Sequence, residues 1–235
     1  MGQIAGNMTE WPTHTSNPVG GRCFGKCPYC YMKPMRKRFE HLDHPPEFNE
    51  EEVRWNPPAG ALVFVGSVLD LFHPAIPRHW IERTVAWTWG QEQAWFAFLS
   101  KYPKYYADFE FPSNVLLGTT WDGRPETRDN VSDLISVVRR DQIAYVSFEP
   151  LLRSPCYVRL GANRGRLKPQ RFVEWIIIGR DTNPGAKKPP DRWADRLIRD
   201  ADKFGIPVFL KDNYNHETEI RKARPIKVTY KNRRS

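Results

Sequence analysis

Three of the four cysteines, Cys23, Cys27 and Cys30, fall within the eight residues CFGKCPYC. Thiols at that density pair as disulfides, bind metal, or pack as small apolar groups. On a helix the i, i+4, i+7 spacing would make one apolar stripe. Gly25 interrupts the run, however, and Pro28 lacks the amide donor a helix needs there, so residues 20–31 read as an irregular loop. Residues 1–22 are polar and broken by Pro12 and Pro18, without the apolar stretch of a secretion signal. The expectation is a cytoplasmic chain whose thiols stay reduced, a setting in which close-spaced cysteines bind metal. A structural zinc site takes four protein ligands. His14 or Cys156 would have to complete it, and Ser154, Pro155 and Tyr157 around Cys156 do not form a second half-site. Iron–sulfur ligation by three thiolates with an open iron corner is the better match.

Such a loop needs a scaffold. Short β-branched and aromatic runs recur between helical patterns: residues 61–68, 95–101, 114–121, 143–151, 175–181 and 207–212 read as strands. Helices are expected from Pro77 to Trp89, from about Glu126 to Arg139 and from about Asp191 to Phe204, with proline-rich joints at 44–58 and 184–190. Near-continuous apolar strands alternating with helices signal a covered parallel sheet. With one more strand in residues 8–18, the chain is expected to be α/β, a partial or near-complete (β/α) barrel of about six to seven parallel strands. The cysteine loop then follows the first strand, on the face where such barrels place their reactive groups. A chain of 235 residues suits one such domain, 1–220, followed by a basic tail, 221–235.

C-x3-C-x2-C with the aromatic Tyr29 before the last cysteine resembles the radical S-adenosylmethionine (SAM) enzymes. The order of Trp11–Pro18, the cysteine loop, FVGSVLDLFHP, FLSKYP, NVLLGTTW, SFEPLL, IIIGRDTNPGAKKP and VFLKD is similar to a phage-associated family of radical-SAM-like proteins, across residues 11–212. The resemblance implies a barrel of radical-SAM type and a [4Fe-4S] cluster on Cys23, Cys27 and Cys30. It also implies SAM bound at the open iron, and an electron donor such as a flavodoxin or ferredoxin. Reductive cleavage of SAM would then lead to hydrogen abstraction from a substrate. It sets Tyr29 beside the adenine. Many relatives end the second strand with Gly-Gly-Glu; here Gly66 and Ser67 hold that place, and Asp70 stands in for the missing acid. Thr119 and Thr120 would meet the ribose hydroxyls.

Glu149 ends a strand just before Pro150, and Lys211 ends the last strand, so both are candidates to face the barrel mouth; with Asp70 they form the catalytic set. Arg180, Asp181 and Asp212 are further strand-end charges, His73 is a loop histidine, and Cys156 is expected to pack. The net charge is +9, and residues 221–235 carry seven basic side chains and no acid, which makes this tail the candidate nucleic-acid contact. No run of about 18 apolar residues suggests a membrane span. Two function classes follow. The first is a radical SAM enzyme acting on a nucleic acid or an associated macromolecule. The alternative is a non-catalytic, zinc- or Fe–S-stapled nucleic-acid-binding module.

Overall fold

The computed structural model describes residues 2–3, 9–162 and 171–226. Its frame is set by segments that are apolar at successive positions, so that both faces can be buried. These are β1 (His14–Ser16), β2 (Leu62–Val65), β3 (Trp95–Ser100), β4 (Val115–Thr120), β5 (Ile143–Phe148), β6 (Trp175–Ile178) and β7 (Val208–Leu210). Each pairs in parallel with the next in chain order, giving an open, curled half-barrel, and Gly2–Gln3 adds an antiparallel edge to β1. The expectation of an α/β partial barrel holds, at seven parallel strands.

Alternation along the strands separates two apolar sets. Val63, Val65, Phe96, Phe98, Leu117 and Ile176 face the helices. Helix α3 (Arg78–Trp89) buries Ile81, Thr84, Val85 and Thr88, and α5 (Asp191–Lys203) buries Ala194, Leu197, Ile198 and Ala201, the one-face spacing of an amphipathic helix. On the concave side Leu62, Phe64, Leu116, Tyr145, Trp175, Ile177 and Phe209 gather around Trp11 and fill the barrel floor. Gly118 is required there, because a Cβ would lie 2.2 Å from Cζ of Tyr145.

Several elements differ from the expectation. The β1–β2 connection holds a short helix α1 (Met32–Arg38) directly after the cysteines and α2 (Glu50–Arg54) inside the proline-rich joint, where the Asn49 side chain caps the helix by accepting from the Glu51 amide at 3.0 Å. The β4–β5 helix, α4, is confined to Asn130–Val137, preceded by a 3-10 turn at Pro125–Thr127. Among the described residues, no helix is long and apolar enough to cross a membrane.

The basic tail is expected to begin at residue 221. Residues 221–223 return antiparallel along β7, with Leu210 N donating to Arg221 O and Ala223 N to Val208 O. Ile226 packs on the concave cluster. The cations of this stretch are engaged by the protein: Arg221 pairs with Asp202 and Glu219, Lys222 with Glu10 and Asp212, and Arg224 donates to the carbonyls of Trp11 and Glu10. Glu10 also accepts from the amides of Asp212 and Asn213, so it joins the start of the chain to the end of β7 across the open side of the half-barrel. The remainder of the expected tail, residues 227–235, lies outside the described residues.

Candidate functional site

The cysteine loop leaves the carboxyl end of β1 and lies across the ends of the neighbouring strands, held by contacts to nearly every loop at the mouth. The Cys23 Sγ accepts the Gly25 amide at 3.3 Å and the Asp70 amide, from the loop after β2, at 3.5 Å. Tyr31 donates its hydroxyl to Ser67 O. Tyr29 donates to the Asp122 carboxylate, in the loop after β4, and the Tyr29 carbonyl accepts from Asn183 Nδ2, after β6, at 2.9 Å.

Charge reinforces these contacts. Asp122 is fully buried and receives Arg124 Nε at 2.9 Å, Arg124 N at 2.9 Å and Thr127 Oγ1 at 2.7 Å. Burial alone would raise its carboxyl, but the Arg124, Tyr29 and Thr127 donors outweigh burial and hold it below the usual Asp range. Burial, then the neighbouring Asp122, pushes the Tyr29 phenol up, so it stays protonated as donor. The guanidinium of Arg124 sits 5.2 Å and the Lys101 ammonium 5.9 Å from the centre of the Tyr29 ring. Burial of its bonded hydroxyl, then nearby Cys30 and Glu149, pushes the Tyr31 phenol up to about 12, while the residue as a whole is 37% exposed.

Glu149 follows β5 and Lys211 follows β7; between them, in register, is Gly179. Lys211 Nζ donates to Glu149 Oε1 at 2.5 Å, and Asn213 Nδ2 donates to the same oxygen at 3.2 Å. A Cβ at Gly179 would lie 2.7 Å from Cδ of Glu149, so the absence of a side chain there is what lets the carboxylate lie over β6. Lys211 is buried, and the Glu149 side chain retains 24% exposure.

Residues 7–231 match the model of a family described as "Protein of unknown function (DUF5131)". The chain belongs to the DUF5131 family. No curated protein and no solved structure matches it. Within this DUF5131 chain, the residues singled out from sequence separate into two groups. Brought to one mouth are Cys23, Cys27, Cys30, Tyr29, Glu149 and Lys211, with Gly66 at φ +79° at the end of β2, a conformation that favours glycine. Ser67 is there too, its Oγ donating to Asn17 Oδ1 at 3.0 Å. Thr120 shares its register row with Ser147 and faces the concave side.

Thr119 points to the opposite face, where its hydroxyl donates to Ser100 O at 2.7 Å; its expected contact with a ribose is corrected to a strand-to-strand bond. Asp70, expected in the catalytic set, is engaged by its neighbours. Its Oδ1 accepts from Ser100 Oγ at 2.7 Å and its Oδ2 from the Lys101 amide at 2.8 Å, tying the loop after β2 to the end of β3. His14 is packed beside Trp55, and Cys156 is exposed in the loop after β5. Among the described residues, no three His, Cys, Asp or Glu side chains are gathered as a metal-binding group. The donor set nevertheless suits a thiophilic centre. A Cβ on Gly25 would lie 3.3 Å from the Cys23 sulfur and 3.9 Å from the Cys27 sulfur, a space kept open between two thiols. Burial pushes the Cys23 thiol up, against the two amide donors that favour its thiolate.

Sequence reasoning missed Asp122, Arg124, Asn183, Asn213 and Glu10. Asp122 carried a signal, an acid two residues past the end of an apolar strand in TTWDGR; Glu10, preceding the first strand, carried none.

Proposed function

We propose that this chain is a radical SAM enzyme of the half-barrel type, with Cys23, Cys27 and Cys30 as the thiolate ligands of a [4Fe-4S] cluster and SAM as co-substrate. The observation that carries the reading is the position of the three-cysteine loop at the carboxyl end of the first of seven consecutive parallel strands, over the mouth. When bound, the cluster and SAM supply reductive carbon–sulfur cleavage and a radical able to abstract hydrogen. An electron carrier of the flavodoxin or ferredoxin class would deliver the electron.

The chain's own contribution is binding, orientation and dryness. Gly25 leaves room beside the sulfur atoms, and Gly66 lets the backbone at the end of β2 approach a ligand closely. Tyr29, fixed by Asp122 and flanked by two cations, presents a rigid aromatic face. Glu149 uses Oε1 for Lys211 and Asn213, leaving Oε2 to receive a ligand ammonium. The aromatic floor around Trp11 closes the barrel below the mouth and limits water access.

Anaerobic reconstitution followed by iron analysis tests the reading. About four irons per chain are expected, lost in Cys23→Ala, Cys27→Ala or Cys30→Ala and kept in Cys156→Ala. Equilibrium dialysis of the loaded, reduced protein should show SAM binding that weakens in Tyr29→Ala. A colourless protein with one zinc, or loaded protein that does not bind SAM, would replace this reading with the metal-stapled, non-catalytic module.

A further inference from the structure

Of the eight exposed large hydrophobic residues among those described, five belong to the mouth loops: Phe24 and Tyr31 after β1, Tyr105 after β3, and Leu152 and Tyr157 after β5. Tyr157 is 92% exposed, so its ring has no packing role. Cations accompany them. Residues 11–39 contain six basic side chains and no acid, and so do residues 150–173; setting these twelve aside leaves 24 basic against 27 acidic residues, so the positive charge outside the tail is concentrated in two connections.

Lys26, Lys33, Lys37 and Arg38 around the cysteines, and Arg153 and Arg159 after β5, are exposed and have no ion pair with a described residue. Of the mouth acids, Asp122 is paired with Arg124 and Glu149 with Lys211, while Asp70 accepts from the Ser100 hydroxyl and the Lys101 amide and Asp181 from Asn183. A rim of unpaired cations interleaved with exposed aromatic rings matches the chemistry of a single nucleic-acid strand, whose phosphates meet the cations while its unpaired bases stack. An acidic protein would use the charge and leave Tyr157 unexplained.

We propose that the rim formed by the cysteine loop, α1 and residues 150–160 after β5 is a docking surface for single-stranded nucleic acid. It follows that a nucleotide in that strand is the substrate class of the mouth, a step that rests on the proposed function; the docking itself does not.

The test is fluorescence anisotropy of the full chain with a labelled oligothymidylate of about 20 nucleotides, longer than the ~4–16 nucleotides one stacking platform covers. Affinity should fall linearly with log salt. Lys33→Gln with Lys37→Gln should reduce the slope by about 1.4, at ~0.7 per phosphate contact on a single strand. Tyr157→Ala should weaken binding about 5- to 150-fold without changing the slope, the loss of one stacked base. These side chains are exposed and unbonded, so circular dichroism should show an unchanged fold. A variant with Cys23, Cys27 and Cys30 all replaced by Ala should still bind the strand, which separates failure of the cofactor reading from failure of this one. The proposal is overturned if the rim variants bind as the parent does, if truncation after Ile226 alone abolishes binding, or if a duplex or polyglutamate of equal charge competes as well as the strand.

Discussion

Replacing Glu10 with Ala should loosen the open side of the half-barrel and, through it, the mouth. Its side chain is 10% exposed and serves three donors from the far end of the chain. The Asp212 amide at 2.7 Å is a short bond to a charged acceptor, worth about 1.5–3 kcal/mol net. The Asn213 amide at 3.4 Å is at the edge of hydrogen bonding and adds little. Lys222, at 3.0 Å, is 36% exposed and also reaches Asp212, so screening limits that pair to below about 1 kcal/mol. Together the loss is about 2–3 kcal/mol, a fall in Tm of roughly 5–10 °C for a domain of this size. Glu10→Gln keeps an oxygen for the Asp212 amide and should recover about half. Urea unfolding with an unchanged m-value is the assay. Because the Asn213 side chain donates to Glu149 at 3.2 Å and its Oδ1 accepts the Arg180 amide at 3.5 Å, while the Asn213 amide meets Glu10, a double-mutant cycle with Asn213→Ala should be non-additive by more than about 0.5 kcal/mol. If Glu10→Ala unfolds within about 0.5 kcal/mol of the parent, the seam is not what holds β7 and its loop in place.

Asp122→Asn should lower stability at neutral pH and flatten the acid limb. A carboxyl held below its unfolded value contributes fully above about pH 4 and loses that contribution as pH falls through the depressed folded value, so urea midpoints at pH 7 and pH 3 should converge in the variant. The Tyr145 hydroxyl is buried without a partner among the described residues, so Tyr145→Phe should be neutral or stabilising by up to about 1–2 kcal/mol; a loss greater than about 1 kcal/mol would show that the hydroxyl has a partner in solution. Gly118→Ala should cost at least about 2–3 kcal/mol by driving a methyl into the Tyr145 ring, and Tyr145→Leu in the same chain should recover most of it, both read by urea unfolding.

The parallel strands were legible because their burial is two-sided: LVFV, VLLGTT and WIII have few polar positions to place in water, and a run of that kind has one main use. The cysteine loop was legible for a similar reason, since Gly25 and Pro28 exclude the helix that would make the thiols ordinary core. Register was not legible. Thr119 and Thr120 are adjacent and chemically identical, and only the pairing of Thr119 with Val146 and Thr120 with Ser147 decides which hydroxyl enters the mouth. The surroundings of Asp70 were not legible either: the acid stands just past a strand end, and its oxygens accept from Ser100 and the Lys101 amide about 30 residues later.

Charge shows the same limit most clearly, because composition counts side chains whereas a field depends on which remain unpaired. Arg221, Lys222 and Arg224 read as the start of a basic tail, yet their partners include Glu10 and the Trp11 carbonyl, more than 200 residues earlier, and they serve the seam. Lys33 and Lys37 attract less notice in sequence, on a seven-residue helix, and they are the ones left facing solvent beside the thiols. At a separation below the Debye length of about 8 Å, an unpaired lysine acts on a phosphate, while a paired one is largely cancelled by its own carboxylate. Among the described residues, unpaired cations of this kind stand on the connections that leave β1 and β5, the same two that carry the cysteines and Glu149. An anionic chain drawn to them would arrive already over the mouth.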